Sequence, residues 1–292
     1  MTSLNRKTLY AIAIAVLLAM TTGCSSMLRT GISMAHPAFE NIEVSLFRQQ
    51  NVELVKQGLP GTIILLEGIL ETSPNDMLLL TMAAKSYAGL GMIVEDEDPA
   101  LATDLYQRGT ECGMRALKQH RGFRNTLEDG KSVAEAAKTV TSKKYLPALT
   151  WTAASMGSNV LLNTGDPMIA VDLGNVRTMI NQVNDIDEEY YYGFAHMFLG
   201  IINSMLPEAF GGDKEKAKKE FYTVFNMNEG KFLLSTYFYA KYYITDENHQ
   251  AEKMREVADA PDGQMPDIEL MNQIAKAKAK YYLKEKGEPV DE

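Results

Sequence analysis

From about residue 40 onward, apolar positions recur at helical spacing almost without interruption. There is no sustained period-two alternation and no Asn-Gly hairpin turn, so strands are not expected. Ala, Leu, Met, Glu and Lys dominate, and all are good helix formers. The pattern predicts helices near residues 41–57, 61–72, 131–141, 145–163, 167–183, 188–205, 214–227, 230–244, 248–257 and 267–286, with others around Leu80 and from Pro99. Breaks are expected at Ser73-Pro74-Asn75-Asp76, Gly165-Asp166-Pro167, Pro207 to Gly212 and Pro261-Asp262-Gly263. No linker is long enough to force a split. The expectation is a single all-α domain over residues 40–286, built of antiparallel helix pairs, followed by a polar tail at 287–292.

One stretch shows a repeat register. Six residues after Pro74 comes Leu80, then Ala83, Ala84, Tyr87, Leu90 and Gly91. That order is similar to the first helix of a tetratricopeptide repeat, with large, small-small and aromatic positions before Leu-Gly at the turn. Ala102, Tyr106 and Gly109 fit the second helix, beyond an acidic insert at Glu95 to Asp98. Ala217, Phe221 and Val224, after Gly211-Gly212-Asp213, make a further match. Small residues let paired helices approach, and aromatics fill the gaps between pairs. The repeats are degenerate, so the expected architecture is α-solenoid-like rather than regular.

Ahead of the domain the pattern changes. Arg6 and Lys7 precede an apolar run from Leu9 to Met20, too short to span a bilayer comfortably. Thr21, Thr22 and Gly23 then lead to Cys24, followed by Ser25 and Ser26. Small residues before a lone cysteine match a bacterial lipobox, although Met20 and Thr21 stand where Leu would be commoner. Residues 1–23 are thus read as a cleaved lipoprotein signal, Cys24 as the lipidated residue carrying palmitate-type acyl chains, and 24–39 as a tether. The alternative is an ordinary cleaved signal peptide with Cys24 unmodified. Ser25 is not the Asp that often retains lipoproteins in the inner membrane, which favours the periplasmic face of an outer membrane where that sorting rule operates.

Charge and cysteine content narrow the classes further. Loss of residues 1–23 removes two basic residues and no acid, moving the formal charge from −9 to −11. No basic patch exists to hold nucleic acid, and an acidic surface does not adhere to anionic lipid, so membrane attachment falls to the anchor. Hydrophobic residues make up 46% of the chain, enough for a substantial core. After the signal no stretch reads as a membrane span, and Phe194 to Leu206, interrupted by His196 and Asn203, comes nearest. Cys112 is the one cysteine besides Cys24, so no intrachain disulfide framework is available and Cys112 reads as a small buried apolar residue.

Catalytic and metal motifs are missing. The four histidines, His36, His120, His196 and His249, are scattered, without an i,i+4 pair or H-E-x-x-H. There is no C-x-x-C, P-loop, G-x-G-x-x-G or G-x-S-x-G. Gly211-Gly212 reads as a tight turn with Asp213 near a helix cap, not as a phosphate cradle, and Asp185, Asp187, Glu188 and Glu189 read as a solvated helix start. No enzyme, metal or cofactor is expected. Two polar stripes on apolar helices remain. Tyr192, His196 and Asn203 share one helix face, as do Trp151, Ser155 and Asn159. Buried polar groups must be hydrogen-bonded or face a wet cavity. Two readings stay open: a satisfied network between core helices, or the lining of a ligand cleft.

An ordered set of residues resembles a known family. Trp151 with Ala153-Ala154 and Gly157, then Tyr192 to His196 with Leu199-Gly200, then Pro207 and Gly211 to Asp213 with Lys216-Ala217 and Phe221, and finally Asn272 with Ile274-Ala275, are similar to the T component associated with TRAP (tripartite ATP-independent periplasmic) transporters. The resemblance covers about residues 60–285. It implies an all-helical, tetratricopeptide-like periplasmic lipoprotein that associates with the periplasmic solute-binding protein, as a homotrimer with a central pore or a cleft through each subunit. It also implies a helper role in solute uptake, with apolar or organic-acid ligands. The competing expectation is a lipid-tethered helical scaffold for envelope protein assembly, with no small ligand.

Overall fold

The computed structural model describes residues 27–163, 169–208 and 211–289. The signal segment, Cys24, Ser25 and the joint at Gly165-Asp166-Pro167 lie outside the described residues, as does the end of the tail. In chain order the described residues form α1 (His36–Phe47), α2 (Val52–Thr72), α3 (Met77–Val94), α4 (Pro99–Leu117), α5 (Arg121–Glu128), α6 (Val133–Ala137), α7 (Leu146–Leu162), α8 (Ile169–Ile186), α9 (Tyr190–Met205), α10 (Lys214–Met227), α11 (Leu233–Phe238), α12 (Glu247–Ala258) and α13 (Glu269–Glu285). Residues 27–34 are also helical, inside the stretch read as tether. No strand occurs among the described residues. The fold is all-α and packed in helix pairs.

The helices start where short polar side chains can accept from exposed backbone N–H groups. Asp76, Asp98, Asp213 and Asp246 cap α3, α4, α10 and α12, each through an N–H three residues on. Ser132 and Glu135 form a reciprocal capping box on α6. The N-terminal helices depart from the sequence expectation. The break falls at residues 48–51, where Asn51 accepts from Leu54 N–H, and α2 then runs unbroken through Pro60 and Gly61. Pro60 is exposed, so the helix loses one hydrogen bond without burying an unpaired carbonyl. α5 carries no strong apolar run and lies outside the helices that periodicity predicts; His120 Nδ1 caps it by accepting from Phe123 N–H at 3.1 Å.

Successive helices pack side by side: α2 on α3, α3 on α4, α4 on α7, α7 on α8, α9 on α10 and α12 on α13. The register residues behave as close-packing positions. Leu80, Ala83, Ala84, Ala102 and Tyr106 are at most 1% exposed. A Cβ at Gly91 would sit 2.6 Å from the Tyr106 ring, and one at Gly200 would sit 2.9 Å from the Phe221 ring. α13 then returns to pack on α1 and α2, so the two ends of the described chain meet rather than staying apart as in an open stack. The acidic insert makes this closure. Lys278 of α13, its side chain 4% exposed, pairs with Glu95 at 2.8 Å and Asp96 at 2.5 Å, and donates to the Met92 carbonyl at 3.2 Å. Glu97 pairs with Lys56 at 2.6 Å.

α3 is long and apolar enough to cross a membrane, contrary to the sequence reading, but 72% of that window is buried inside the fold. Its apolar character is that of a central helix covered by α2, α4 and α7. Cys112 is buried, and burial pushes its thiol up to about 11, as befits an unreactive core residue.

Glycines separate packing from propensity. A Cβ at Gly113 would lie 2.1 Å from Thr152 Oγ1 and 3.2 Å from the Thr152 backbone, whereas Gly68, exposed in α2, has nothing within 4 Å. Gly113→Ala is expected to cost about 1–3 kcal/mol, and Gly68→Ala to add about 0.5–1 kcal/mol. Urea unfolding of the two variants checks both signs.

Candidate functional site

The middle of the molecule holds two adjoining cavities. The first, of about 40 Å³, lies among α1, α2, α3 and α13, with Phe47, Leu59, Met82 and Ile274 in its walls. The second, of about 190 Å³, lies among α3, α7, α9 and the residues after α11, with Phe194, Phe198 and Phe238 in its walls. Met92 and Trp151 line both. Trp151 is 1% exposed. Its ring meets Tyr191 edge-on at 5.3 Å and Phe194 at 5.6 Å, while Phe194 stacks toward Phe198 at 4.9 Å. Aromatic walls of this kind suit apolar ligand groups.

Each cavity contains a lysine. Lys85 lines the first, pairs with Glu43 of α1 and lies 5.2 Å from the ring centres of both Phe47 and Trp151. Burial holds its ammonium below the usual lysine range, and Glu43 opposes that shift. Lys241 lines the second and lies in a five-residue π turn, Tyr239–Tyr243. Wide turns of this type are frequent at functional sites. Burial, then the nearby Lys278, lowers its pKa.

The start of α9 sets the aromatic wall. Tyr191 (φ 49°, ψ 48°), Tyr192 (φ 62°, ψ 34°) and Gly193 (φ 79°, ψ 28°) are three successive residues in the left-handed region. For the two tyrosines this costs about 1–2 kcal/mol each. Tertiary contacts hold the turn. Tyr191 packs on Phe47, Trp151 and Phe194, and Asn228 Nδ2 donates to the Tyr192 carbonyl at 2.9 Å. Gly193 is the position that adopts this backbone without a Cβ penalty.

The six residues of the two polar stripes do not converge on one place. Trp151 divides the cavities. Ser155, one turn on, is fully buried against α4, its Oγ 2.6 Å from where a Gly109 Cβ would stand. Asn159 accepts from Asn163 Nδ2 at 3.0 Å, and Asn163 reaches Thr103 at 3.2 Å. Tyr192 lines two outer grooves beside Asp267. His196 turns to α10, with Nδ1 2.5 Å from Glu220 Oε2. Asn203 is buried, and its carbonyl accepts from Asp213 N–H at 3.1 Å. Among the described residues, Trp151 Nε1, Ser155 Oγ, His196 Nε2 and Asn203 Oδ1 have no hydrogen-bond partner.

Sequence reasoning missed Lys85, Lys241, Glu43 and Tyr191. The two lysines had a legible signal: Lys85 is the one charge in α3, and Lys241 interrupts the aromatic run from Tyr237 to Tyr243. A charge inside an apolar helical run must be paired or must face a cavity. The left-handed turn had no comparable signal, because a Tyr-Tyr-Tyr-Gly sequence does not specify it.

The family model of the TRAP transporter T-component matches residues 48–288, and the chain belongs to that family. No curated protein matches the chain. Membership makes it an accessory component of TRAP transport, from a family of transport components rather than enzymes, working at a bacterial membrane or in the periplasm. α1 lies just ahead of the matched residues, yet it supplies Phe47 and Glu43 to the first cavity.

Removing one partner of a buried ion pair leaves the other charge uncompensated. Glu43→Gln is expected to destabilise the protein by about 2 kcal/mol, less than a fully buried pair because Glu43 retains 27% exposure. Glu43→Leu combined with Lys85→Met should return to within about 1 kcal/mol of the starting stability. Denaturant unfolding of the single and double variants measures both, and a single-variant cost near zero would place the pair outside the core.

Proposed function

We propose, from its membership of the TRAP T-component family, that this chain is a non-enzymatic periplasmic lipoprotein that assists solute uptake by engaging the transporter's periplasmic solute-binding protein. In this reading the signal is cleaved before Cys24, acyl chains on Cys24 hold the protein to a membrane, and Ser25 favours the outer membrane. Residues 24–39 connect the anchor to the helical domain at 40–286, and 287–292 form a polar tail. The stretch just after Cys24 exposes Met27 and Met34, each at 79%, which suits a segment close to lipid. One or more copies assemble at the membrane, the homotrimer being the arrangement that the family suggests.

The observation that carries the ligand part of the proposal is the aromatic tract on either side of Trp151. Phe47 closes one side and Phe194 and Phe198 close the other, with a cavity of about 190 Å³ beyond. A small organic molecule with an apolar body fits such walls. Trp151 is the central wall residue of the proposed site. Tyr192 belongs to the outer grooves, and Ser155, Asn159, His196 and Asn203 support the helices around it.

The partner is tested by crosslinking the lipidated protein in its native envelope and identifying the captured chains by mass spectrometry. A stoichiometric periplasmic solute-binding protein is expected, and Cys24→Ala should abolish membrane fractionation. Capture of outer-membrane assembly or cell-wall proteins alone would replace the uptake role with that of an envelope scaffold.

A further inference from the structure

Apolar side chains that face solvent are concentrated toward one end of the chain. Of the twelve large apolar side chains exposed among the described residues, eight lie between Met27 and Leu65. The outer face of α2 is the clearest case, with Ile64 at 69% and Leu65 at 59% exposure. Gly58, Gly61 and Gly68 lie on the same face, each with open space where a Cβ would stand. No charged residue occurs from Gln57 to Leu66. Lys56, the nearest cation on α2, is paired with Glu97, while Glu53, Glu67 and Glu71 border the face and are exposed. A surface helix of a globular domain ordinarily turns charged and polar side chains outward. An apolar outer face marks an interaction site.

The position of the anchor decides what covers it. Arg29 Nε donates to the Thr72 carbonyl at 3.2 Å, and His36 Nε2 lies 2.8 Å from Asp76 Oδ2. Ile32 and Phe39 pack on the core. The helical stretch 27–34 is therefore held against the C-terminal end of α2. Cys24 and Met27 are three residues apart, a reach of about 10 Å at full extension. Leu65 precedes Thr72 by seven residues, about 10 Å along the helix axis. Acyl chains on Cys24 thus bring the bilayer to the end of α2 where Ile64 and Leu65 stand.

We propose that the outer face of α2, centred on Ile64 and Leu65, lies in the headgroup region of the phospholipid bilayer. The domain is then held at two points, by the acyl chains and by this helix face. The inference rests on the reading of Cys24 as the lipidated residue and adds the orientation of the domain on the membrane. An uncharged face with an acidic border suits a zwitterionic lipid surface, because anionic headgroups would meet Glu67 and Glu71.

The mature protein with its acyl chains, reconstituted in phosphatidylcholine vesicles, tests this. Cys112 is buried, so an environment-sensitive fluorophore attaches selectively at Leu65→Cys or, as control, at Val171→Cys, which replaces an apolar side chain of similar exposure on α8. The fluorophore at Leu65→Cys is expected to shift to shorter wavelength on reconstitution and to be quenched by nitroxide groups on the lipid, since an interfacial helix face lies about 5–10 Å into the headgroup boundary. The fluorophore at Val171→Cys should keep its solution spectrum and escape quenching. Adding Ile64→Glu to Leu65→Cys should abolish the shift. Unchanged thermal melts show that these surface variants fold. Protein that floats with the vesicles while the fluorophore at Leu65→Cys stays as exposed as the control would overturn the docking face and leave the lipid anchor in place. Quenching of that fluorophore by a nitroxide on a second copy, with none from lipid, would assign the face to self-association and overturn the proposal likewise. Protein that does not float with the vesicles would overturn both the anchor and the face that depends on it.

Discussion

The centre of this fold depends on how a single indole is seated. Trp151 is too large to bury unless several elements bring complementary surfaces to it at once. α3 brings Lys85 and Met92, the left-handed start of α9 brings Tyr191, and Phe194 follows directly after that turn. The left-handed turn is unfavourable in isolation and exists because these contacts compensate it. The same seating leaves space on both sides of the ring, since flat aromatic faces meeting edge-on do not fill volume as branched aliphatic side chains do. Cavities and tight packing are therefore products of one arrangement. Elsewhere small residues close the helix crossings to contact distance, as at Gly109 against Ser155 and Gly113 against Thr152.

Charge inside the domain is handled by pairing, and the pairs connect distant parts of the chain. Lys85 ties α3 to α1 through Glu43, and Lys278 ties α13 to the acidic insert between α3 and α4. Such pairs add little net stability compared with apolar substitutes, but they penalise any packing that separates the partners. They thus fix where α1 and α13 lie over the central helices. Lys241 is coupled electrostatically to Glu95 and Asp96, while those two pair with Lys278. The cavities on either side of Trp151 are thereby left mainly apolar, with Lys85 and Lys241 as their cationic lining residues.

Much of the fold was legible in the sequence because helical periodicity reports burial directly. The register from Leu80 to Gly91, and from Ala102 to Gly109, corresponds to buried positions in one closely packed helix pair. Asp76, Asp98 and Asp213 announce helix starts by their chemistry. The break near residue 60 was misplaced because Pro-Gly is a local signal, while the continuity of α2 comes from Val55, Leu59, Ile63 and Leu66 sharing one buried face. The site was less legible. Periodicity put Trp151 on a buried face that meets both cavities but grouped Ser155, Asn159, His196 and Asn203 with it, because a helical stripe reports direction from one axis and not which neighbour stands there. Which cavity a side chain reaches depends on helix crossings and on the turn at Tyr191 to Gly193, neither of which a single chain of letters encodes locally.

The ligand role proposed for this chain places a small molecule in the space beside Trp151. Trp151 is the one tryptophan in the chain, so its emission reports that space without a label. The direct measurement is a titration with 1-bromooctane, whose bromine quenches an indole only at close approach. Saturable quenching of a buried-type emission is expected at concentrations where the protein stays folded. Quenching that rises without saturation, or none at all, would show that nothing enters beside the indole and would rule out a ligand site there.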